Sequence, residues 1–119
     1  MIPKFRARDS RGNWHVGLLT FMFGQYAIVN ESDENTVYLI DKETIRQSTG
    51  LKDKNGVDIF DGDIGWDDHQ EVHGQVIFEN GAFKYEWENI SEDLFEVVDD
   101  IEIVGNVYEN PELLEGIKS

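Results

Sequence analysis

Residues 49–64 read TGLKDKNGVDIFDGDI, and this stretch determines the predicted fold class. The dipeptides Asn55-Gly56 and Asp61-Gly62 supply the positive φ angles that tight turns require. Between these two turns, the apolar residues next to the second turn are only Ile59 and Phe60. The stretch therefore predicts two successive turns joined by a very short β segment.

The carboxylates of this stretch are predicted to form turns and not a calcium loop. An EF-hand loop needs oxygen ligands at positions 1, 3 and 5, with glycine at position 6. Counting from Asp53 places Val57 at position 5, and counting from Asp61 places Gly65 there. Aspartates in such turns more often accept hydrogen bonds from their own backbone.

The flanking segments indicate mostly β-strands. In residues 4–8, alternation places Phe5 and Ala7 on one face and Lys4, Arg6 and Arg8 on the other. Further strands are predicted at residues 14–21, 26–29, 36–40 and 101–104. Residues 41–48 and 91–100 fit a short strand or a helical turn, and the polar loop at 30–35 is expected to be exposed.

The clearest local prediction is a β-hairpin at residues 76–87, VIFENGAFKYEW. A two-residue Asn-Gly turn at 80–81 pairs Phe78 with Phe83 and Val76 with Tyr85. These four side chains then share one face with Trp87. Such an apolar face needs a cover, which the rest of a small β-barrel would provide.

These elements predict a mainly β protein. The segment Asn110-Pro111-Glu112 predicts only a short C-terminal helical turn. The charge balance changes near residue 48, so residues 1–48 are interpreted as an N-terminal β-rich lobe and residues 49–119 as a C-terminal unit. The number of short strands favours a small barrel or a partly open sandwich.

The chain is strongly acidic, with 25 acidic residues, 10 basic residues and a net charge of −15. The whole excess lies in residues 49–119, which hold nineteen acidic and four basic residues. Such a surface repels phosphate backbones and membranes, so direct binding to nucleic acid or to a membrane is not expected.

The chain contains no cysteine, which excludes disulfides and thiolate metal sites and suits a reducing compartment. No apolar segment typical of a secretory signal follows the N-terminal basic residues. The longest apolar run, at residues 18–23, is too short to cross a bilayer. We therefore expect a cytoplasmic location.

His69 and His73 are weak candidates for metal ligands, with carboxylates nearby at positions 67, 68 and 71. Histidines four residues apart can hold a metal when they lie on a helix. The order here is HQEVH and not the H-E-x-x-H of zinc peptidases, and Gly74 disfavours a helix. We interpret the segment as an exposed polar loop.

No catalytic motif is recognisable in the sequence. It has no G-x-S-x-G, no phosphate-binding P-loop and no G-x-G-x-x-G, and its acidic residues are too many to single out an acid/base pair. We therefore expect neither enzymatic activity nor a cofactor.

Four residues are candidates for contacts with a partner. Lys4, Arg6 and Arg8 form a basic strand face, which could bind single-stranded nucleic acid but is better interpreted as pairing with carboxylates within the chain or across a subunit interface. Trp66 is a candidate anchor for a partner, although a tryptophan in this position more often packs at the edge of the core.

Four segments carry a family resemblance: KFRARD at 4–9, TGLKDKNG at 49–56, IFDGDI at 59–64 and EIVGNVYENPELL at 102–114. In this order and spacing they resemble the YopX family of phage and prophage proteins. The resemblance implies an SH3-like small β-barrel in the C-terminal part, preceded by a β-rich N-terminal lobe. It implies no known activity and no catalytic residues.

The leading hypothesis is a non-catalytic phage or prophage protein that binds another protein. The basic strand face and the acidic second part also predict self-association into a homo-oligomer. The alternative is an acidic nucleic-acid mimic that inhibits a host DNA-binding protein. A metal-dependent hydrolase built on His69 and His73 is the weakest of the three hypotheses.

Overall fold

A computed structural model of the chain describes residues 4–33 and 35–115. These residues form two antiparallel sheets with few helices, which confirms the predicted mainly β class. They divide into two compact units, of which the first ends at Ser48 and the second begins at Thr49. No helix in the described ranges is long and apolar enough to span a membrane.

The first unit is a meander of short strands. It contains β1 (Phe5–Arg8), β2 (Trp14–Met22), β3 (Gln25–Asn30), β4 (Val37–Leu39), a 3₁₀ turn (Lys42–Thr44) and the first residues of β5 (Arg46–Lys52). The strand order is β4-β3-β2-β1-β5, so β4 forms one edge of the sheet. Residues 41–48, for which the sequence left two alternatives open, hold both a helical turn and the start of a strand.

One face of this sheet forms the core of the first unit. Ala7 and Ile28 are fully buried there, and Ile40 is almost completely buried. Thr44 is also buried: its hydroxyl accepts a hydrogen bond from the Arg8 backbone N–H at 2.7 Å, which ties the 3₁₀ turn to β1. The alternation predicted for β1 is therefore confirmed.

The second unit follows the remainder of β5. It contains β6 (Asp58–Phe60), β7 (Asp63–Asp67), β8 (Val72–Glu79), β9 (Ala82–Trp87), β10 (Ile90–Asp93), α1 (Leu94–Val97), β11 (Ile101–Asn106) and α2 (Glu112–Glu115). β6 pairs with β5, and the other strands form a sheet in the order β10-β9-β8-β7-β11. The short C-terminal helical turn is present as α2, and residues 91–100 hold both a strand and a helix.

The predicted hairpin is confirmed in position and register. β8 and β9 pair Val76 with Tyr85 and Phe78 with Phe83 around the Asn80-Gly81 turn. The expectation that its whole apolar face is covered is wrong, because Phe78 is 54% exposed. Phe78 lies next to the turn and beyond the buried core, where it packs edge-to-face on Phe83 with ring centroids 4.9 Å apart.

The predicted closed barrel is not observed among the described residues. The five-stranded sheet has two edges, β10 and β11, which do not pair with each other there. The chain leaves β10 directly into α1, whose Leu94 is fully buried in the core of the second unit. β11 then pairs with β7 at the opposite edge. The SH3-like assignment is not confirmed by this topology.

The centre of the second core is built around Tyr85. Its ring covers Gly65 and Gly74, which face each other across β7 and β8. A Cβ atom on Gly74 would lie 2.3 Å from Tyr85 Cζ, so only glycine leaves room for the ring. The remaining fully buried side chains of this core are aliphatic: Ile59, Val76, Leu94 and Ile101.

Candidate functional site

The most exposed large apolar side chain among the described residues is Phe23, at the end of the β2–β3 hairpin. Met22 pairs with Gln25, so Phe23 and Gly24 form a two-residue turn. Their φ angles are 52° and 77°, and positive φ at both residues is the hallmark of a type I′ turn. Phe23 adopts this left-handed conformation although its bulky side chain disfavours it. The ring is also 91% exposed.

Two further aromatic residues lie directly beside this turn. Phe21 and Tyr26 form a cross-strand pair, with ring centroids 5.0 Å apart in an edge-to-face arrangement. Phe21 is 61% exposed, and Tyr26 is also exposed. The end of the hairpin therefore presents three aromatic rings to the surroundings.

The hairpin end borders a surface depression of about 320 Å³. Its apolar side is formed by Phe21, Tyr26 and Ile40, and the Ile40 N–H donates a hydrogen bond to the Tyr26 carbonyl at 3.2 Å. The rest of its lining is Gly24, Gln25, Asp41, Lys42 and Glu43. We call the three exposed aromatic residues and this depression the hairpin-end surface. An apolar patch with a charged rim is typical of a surface that binds another protein.

The structure brings two of the three predicted basic residues, Arg6 and Arg8, to one aromatic ring. The Arg6 guanidinium carbon lies 5.1 Å from the centre of the Trp14 ring, and that of Arg8 lies 5.9 Å from it. Both arginines are half-buried, and the Lys4 ammonium lies 3.9 Å from the Glu31 carboxylate. The three cations therefore contact groups of the same chain: the two arginines contact the Trp14 ring, and Lys4 contacts Glu31.

Trp66 belongs to a polar cluster on the second unit. It faces His73 across β7 and β8, with ring centroids 4.8 Å apart. Its indole N–H donates a hydrogen bond to one Asp68 oxygen at 2.6 Å, and the Lys54 ammonium lies 2.9 Å from the other. The Lys54 ammonium, followed by the Trp66 indole, holds the pKa of Asp68 below its usual value. This cluster restrains the Trp66 ring.

The two histidines do not share a helix. His69 lies in the turn between β7 and β8, where its backbone N–H donates a hydrogen bond to the Asp67 carboxylate at 2.8 Å. His73 lies on β8 itself. No group of three side chains suitable for holding a metal ion occurs within residues 4–33 and 35–115.

Two aspartates within residues 49–64 have structural roles. The buried Asp53 carboxylate accepts hydrogen bonds from the backbone N–H groups of Asn55 and Val57, which confirms the predicted turn function. Its second oxygen accepts from the N–H of Ile103 at 2.8 Å. Burial by itself raises the pKa of Asp53, but these three donors outweigh it and hold the pKa below its usual value. The Asp63 carboxylate likewise accepts from the Phe60 N–H at 2.8 Å.

Sequence reasoning missed the hairpin-end surface. The strands on both sides of Phe23 were predicted, but Phe21, Phe23 and Tyr26 were interpreted only as strand and turn residues. The available signal was the Phe-Gly dipeptide at the turn, where Asn-Gly or Asp-Gly is the usual choice.

The two sheets and the hairpin-end surface place this chain in the class of small, mainly β proteins. The family model described as YopX protein matches residues 4–115. The chain belongs to the YopX family, which confirms the resemblance of its four segments.

A solved structure is similar over nearly the whole chain. It is the crystal structure of protein EF1440 from Enterococcus faecalis, which is 30% identical, with a TM-score of 0.65. The match covers 96% of this chain and 99% of that one. Among curated proteins, none matches the chain.

Proposed function

We propose that this YopX-family chain is a non-catalytic protein of phage or prophage type that binds another protein through its hairpin-end surface. The single observation that carries the proposal is Phe23, a bulky aromatic residue that is 91% exposed at a positive φ angle. A partner that buries the ring would remove its apolar surface from water, and this burial would stabilise the complex.

The energetics of the turn support this assignment. A left-handed conformation costs a non-glycine residue about 1–2 kcal/mol. An exposed ring has few neighbours that could offset this cost within the chain. Phe23 therefore does not contribute to the stability of the hairpin, and a role in contact with a partner accounts for it.

The roles of the acidic and histidine residues support a non-catalytic function. Asp53 and Asp63 are engaged by backbone donors, and His69 and His73 lie on a turn and a strand. A mainly β architecture and a cytoplasmic location suit this proposal, because a small β module that acts by contact needs neither a catalytic centre nor a cofactor.

Site-specific photocrosslinking tests the proposal. The photoreactive residue p-benzoylphenylalanine is placed at position 23, and in a matched control at position 80, in cells that naturally encode the chain. The two positions share the same turn geometry, so the introduced residue adopts the same backbone conformation in both variants. We expect discrete protein adducts from position 23 and none from position 80, with circular dichroism showing that both variants are folded.

Three outcomes would overturn the proposal: no adduct from position 23, the same adducts from both positions, or adducts from position 80 alone. The last outcome would favour the alternative, an acidic nucleic-acid mimic, because Asn80 lies on the acidic second unit beside the exposed Glu79. Mass spectrometry of the adducts identifies the partner in either case.

A further inference from the structure

The outer edge of the first sheet presents backbone groups that can pair with another strand. β4 is an edge strand of three residues, Val37, Tyr38 and Leu39. Beside it, Ile40 donates a hydrogen bond to Tyr26 and Asn30 donates one to Thr36. In an antiparallel pair these inward bonds alternate along the strand, so Tyr38 points its N–H and C=O towards β3.

Val37 and Leu39 therefore point their N–H and C=O groups away from β3. Their side chains are 37% and 48% exposed. Tyr38 points to the core face and stacks on His15, with ring centroids 3.7 Å apart. This stacking anchors β4 in an extended conformation that presents its outer edge.

The charges at the two ends of β4 select the chemistry of an added strand. Exposed Asp33 precedes β4, and exposed Asp41 and Glu43 follow it. Lys42 is the one basic residue within 33–43, so both ends remain net negative among the described residues. A strand with Lys or Arg on both sides of an apolar centre would place cations beside these carboxylates.

A second copy of the chain does not fit this edge. Antiparallel pairing of two β4 strands about Tyr38 would bring the end that carries Asp33 beside the partner's end with Asp41 and Glu43. Like charges placed opposite each other destabilise strand pairing. Short edge strands with flanking charges are a known device against self-pairing.

We propose that β4 binds an extended, basic-flanked apolar segment of a partner protein by strand addition. Backbone hydrogen bonds to Val37 and Leu39 supply the affinity, and the carboxylates at the two ends supply the selectivity. This inference rests on the proposed function, because Ile40 follows β4 directly and lines the hairpin-end depression, so one partner can occupy both surfaces.

The test uses the purified full chain and a set of short synthetic peptides. Each peptide carries alternating β-branched and aromatic residues between two Lys-Arg pairs, and a matched acidic set has Glu in place of every Lys and Arg. We expect binders in the basic set alone, with affinity that falls as salt rises from about 0.05 to 0.5 M. On binding, hydrogen exchange of the Val37 and Leu39 amides should slow by about tenfold.

Variants of β4 locate the contact. Leu39→Pro removes one outward N–H without removing a bond to β3, and should weaken peptide binding about tenfold. Leu39→Ala keeps the N–H and should retain most of the affinity. If Leu39→Pro does not fold, the combined variant Asp41→Asn/Glu43→Gln tests the proposal in its place. The proposal requires that this variant bind the peptides more weakly and that its peptide binding depend less on salt.

Four results would overturn the inference: no binder in the basic set, equal binding of the acidic set, unchanged binding by folded Leu39→Pro, or concentration-dependent protection of the two amides without peptide. The last result would indicate a second copy at this edge. Crosslinking from position 23 separates the two proposals. An unchanged adduct yield in Leu39→Pro argues against strand addition and leaves the proposed function intact, whereas absence of adducts from the wild-type background removes the proposed function.

Discussion

Phe23 and Asn80 occupy the same position in two hairpin turns. Their φ angles are 52° and 53°, and the glycines that follow them have φ angles of 77° and 81°. Asn80 is the residue that such a turn favours, whereas Phe23 is one that it disfavours. Because the backbone requirement is equal at both positions, the turn does not explain the aromatic ring, and this is the reason that we propose a partner contact for Phe23.

Phe23→Asn should stabilise the isolated chain while it removes the partner contact. Asparagine tolerates the left-handed region, so we expect the free energy of unfolding to rise by about 1 kcal/mol, with a Tm higher by a few degrees. Thermal denaturation measures the gain, and co-purification with the crosslinked partner measures the loss. The reciprocal variant Asn80→Phe should lower the Tm. A destabilised Phe23→Asn chain would show instead that the ring has a structural role.

Gly74→Ala should destabilise the second unit strongly. The new Cβ would lie 2.3 Å from Tyr85 Cζ, so the ring must move out of a packed core, at a cost of about 1–3 kcal/mol or more. Urea denaturation measures the loss. The double variant Gly74→Ala/Tyr85→Ala should lose less than the sum of the two single variants, because the clash is then absent. Strict additivity would show that the ring does not occupy this space.

Tyr85→Phe should leave the stability unchanged or raise it by about 1 kcal/mol. The Tyr85 hydroxyl is buried and makes no hydrogen bond of good geometry among the described residues. Burial raises the pKa of the phenol, and the weak approach of the Gly74 backbone N–H only partly opposes this. Removing a buried unpaired hydroxyl removes a desolvation cost and keeps the ring that covers the two glycines. Chemical denaturation is the measurement, with Tyr26→Phe at an exposed position as the control. A clear loss of stability would reveal a hydrogen bond to the hydroxyl.

Asp53→Asn should lower the free energy of unfolding by about 1–3 kcal/mol at neutral pH, since it weakens three hydrogen bonds to a buried charged acceptor. Asp100→Asn, at an exposed position, should change it by less than about 0.5 kcal/mol. Similar effects of the two variants would contradict the role assigned to Asp53.

Asp53→Asn should also alter the pH dependence of the free energy of unfolding. The pKa of Asp53 is lowered in the folded chain, so its contribution is fully present above the unfolded value of about 4. That contribution is lost as the pH falls through the lowered folded pKa. Denaturation curves between about pH 2 and 6 should therefore converge for wild type and Asp53→Asn at the acidic end. A gap that stays constant over this range would exclude the linkage.

Local sequence signals predicted the elements whose geometry is set by neighbouring residues. The Asn80-Gly81 turn fixed the register of β8 and β9, because a two-residue loop leaves one pairing of the flanking strands. The alternation in β1 likewise identified the buried face that contains Ala7. Where two local alternatives were equal, as in residues 91–100, the chain uses both in succession.

Long-range pairings were outside the reach of this reasoning. The hydrogen bond from Ile103 to Asp53 joins residues fifty positions apart, and no local sequence pattern predicts it. Whether β10 meets β11 also depends on how Leu94 is buried, which is a property of the assembled core. The hairpin-end surface was missed for a different reason, since Phe23 breaks the turn preference on which the prediction depended.

The Asp53–Ile103 hydrogen bond affects when the second unit can fold during translation. On the ribosome, Asp53 emerges long before Ile103 is synthesised, so its carboxylate lacks one of its three donors during much of translation. The first unit can fold while the second is still being made, as units of a nascent chain commonly do. The second unit must wait for its last strand, and a stalled or truncated polypeptide ending before residue 103 should reach chaperones or proteases with this part unfinished.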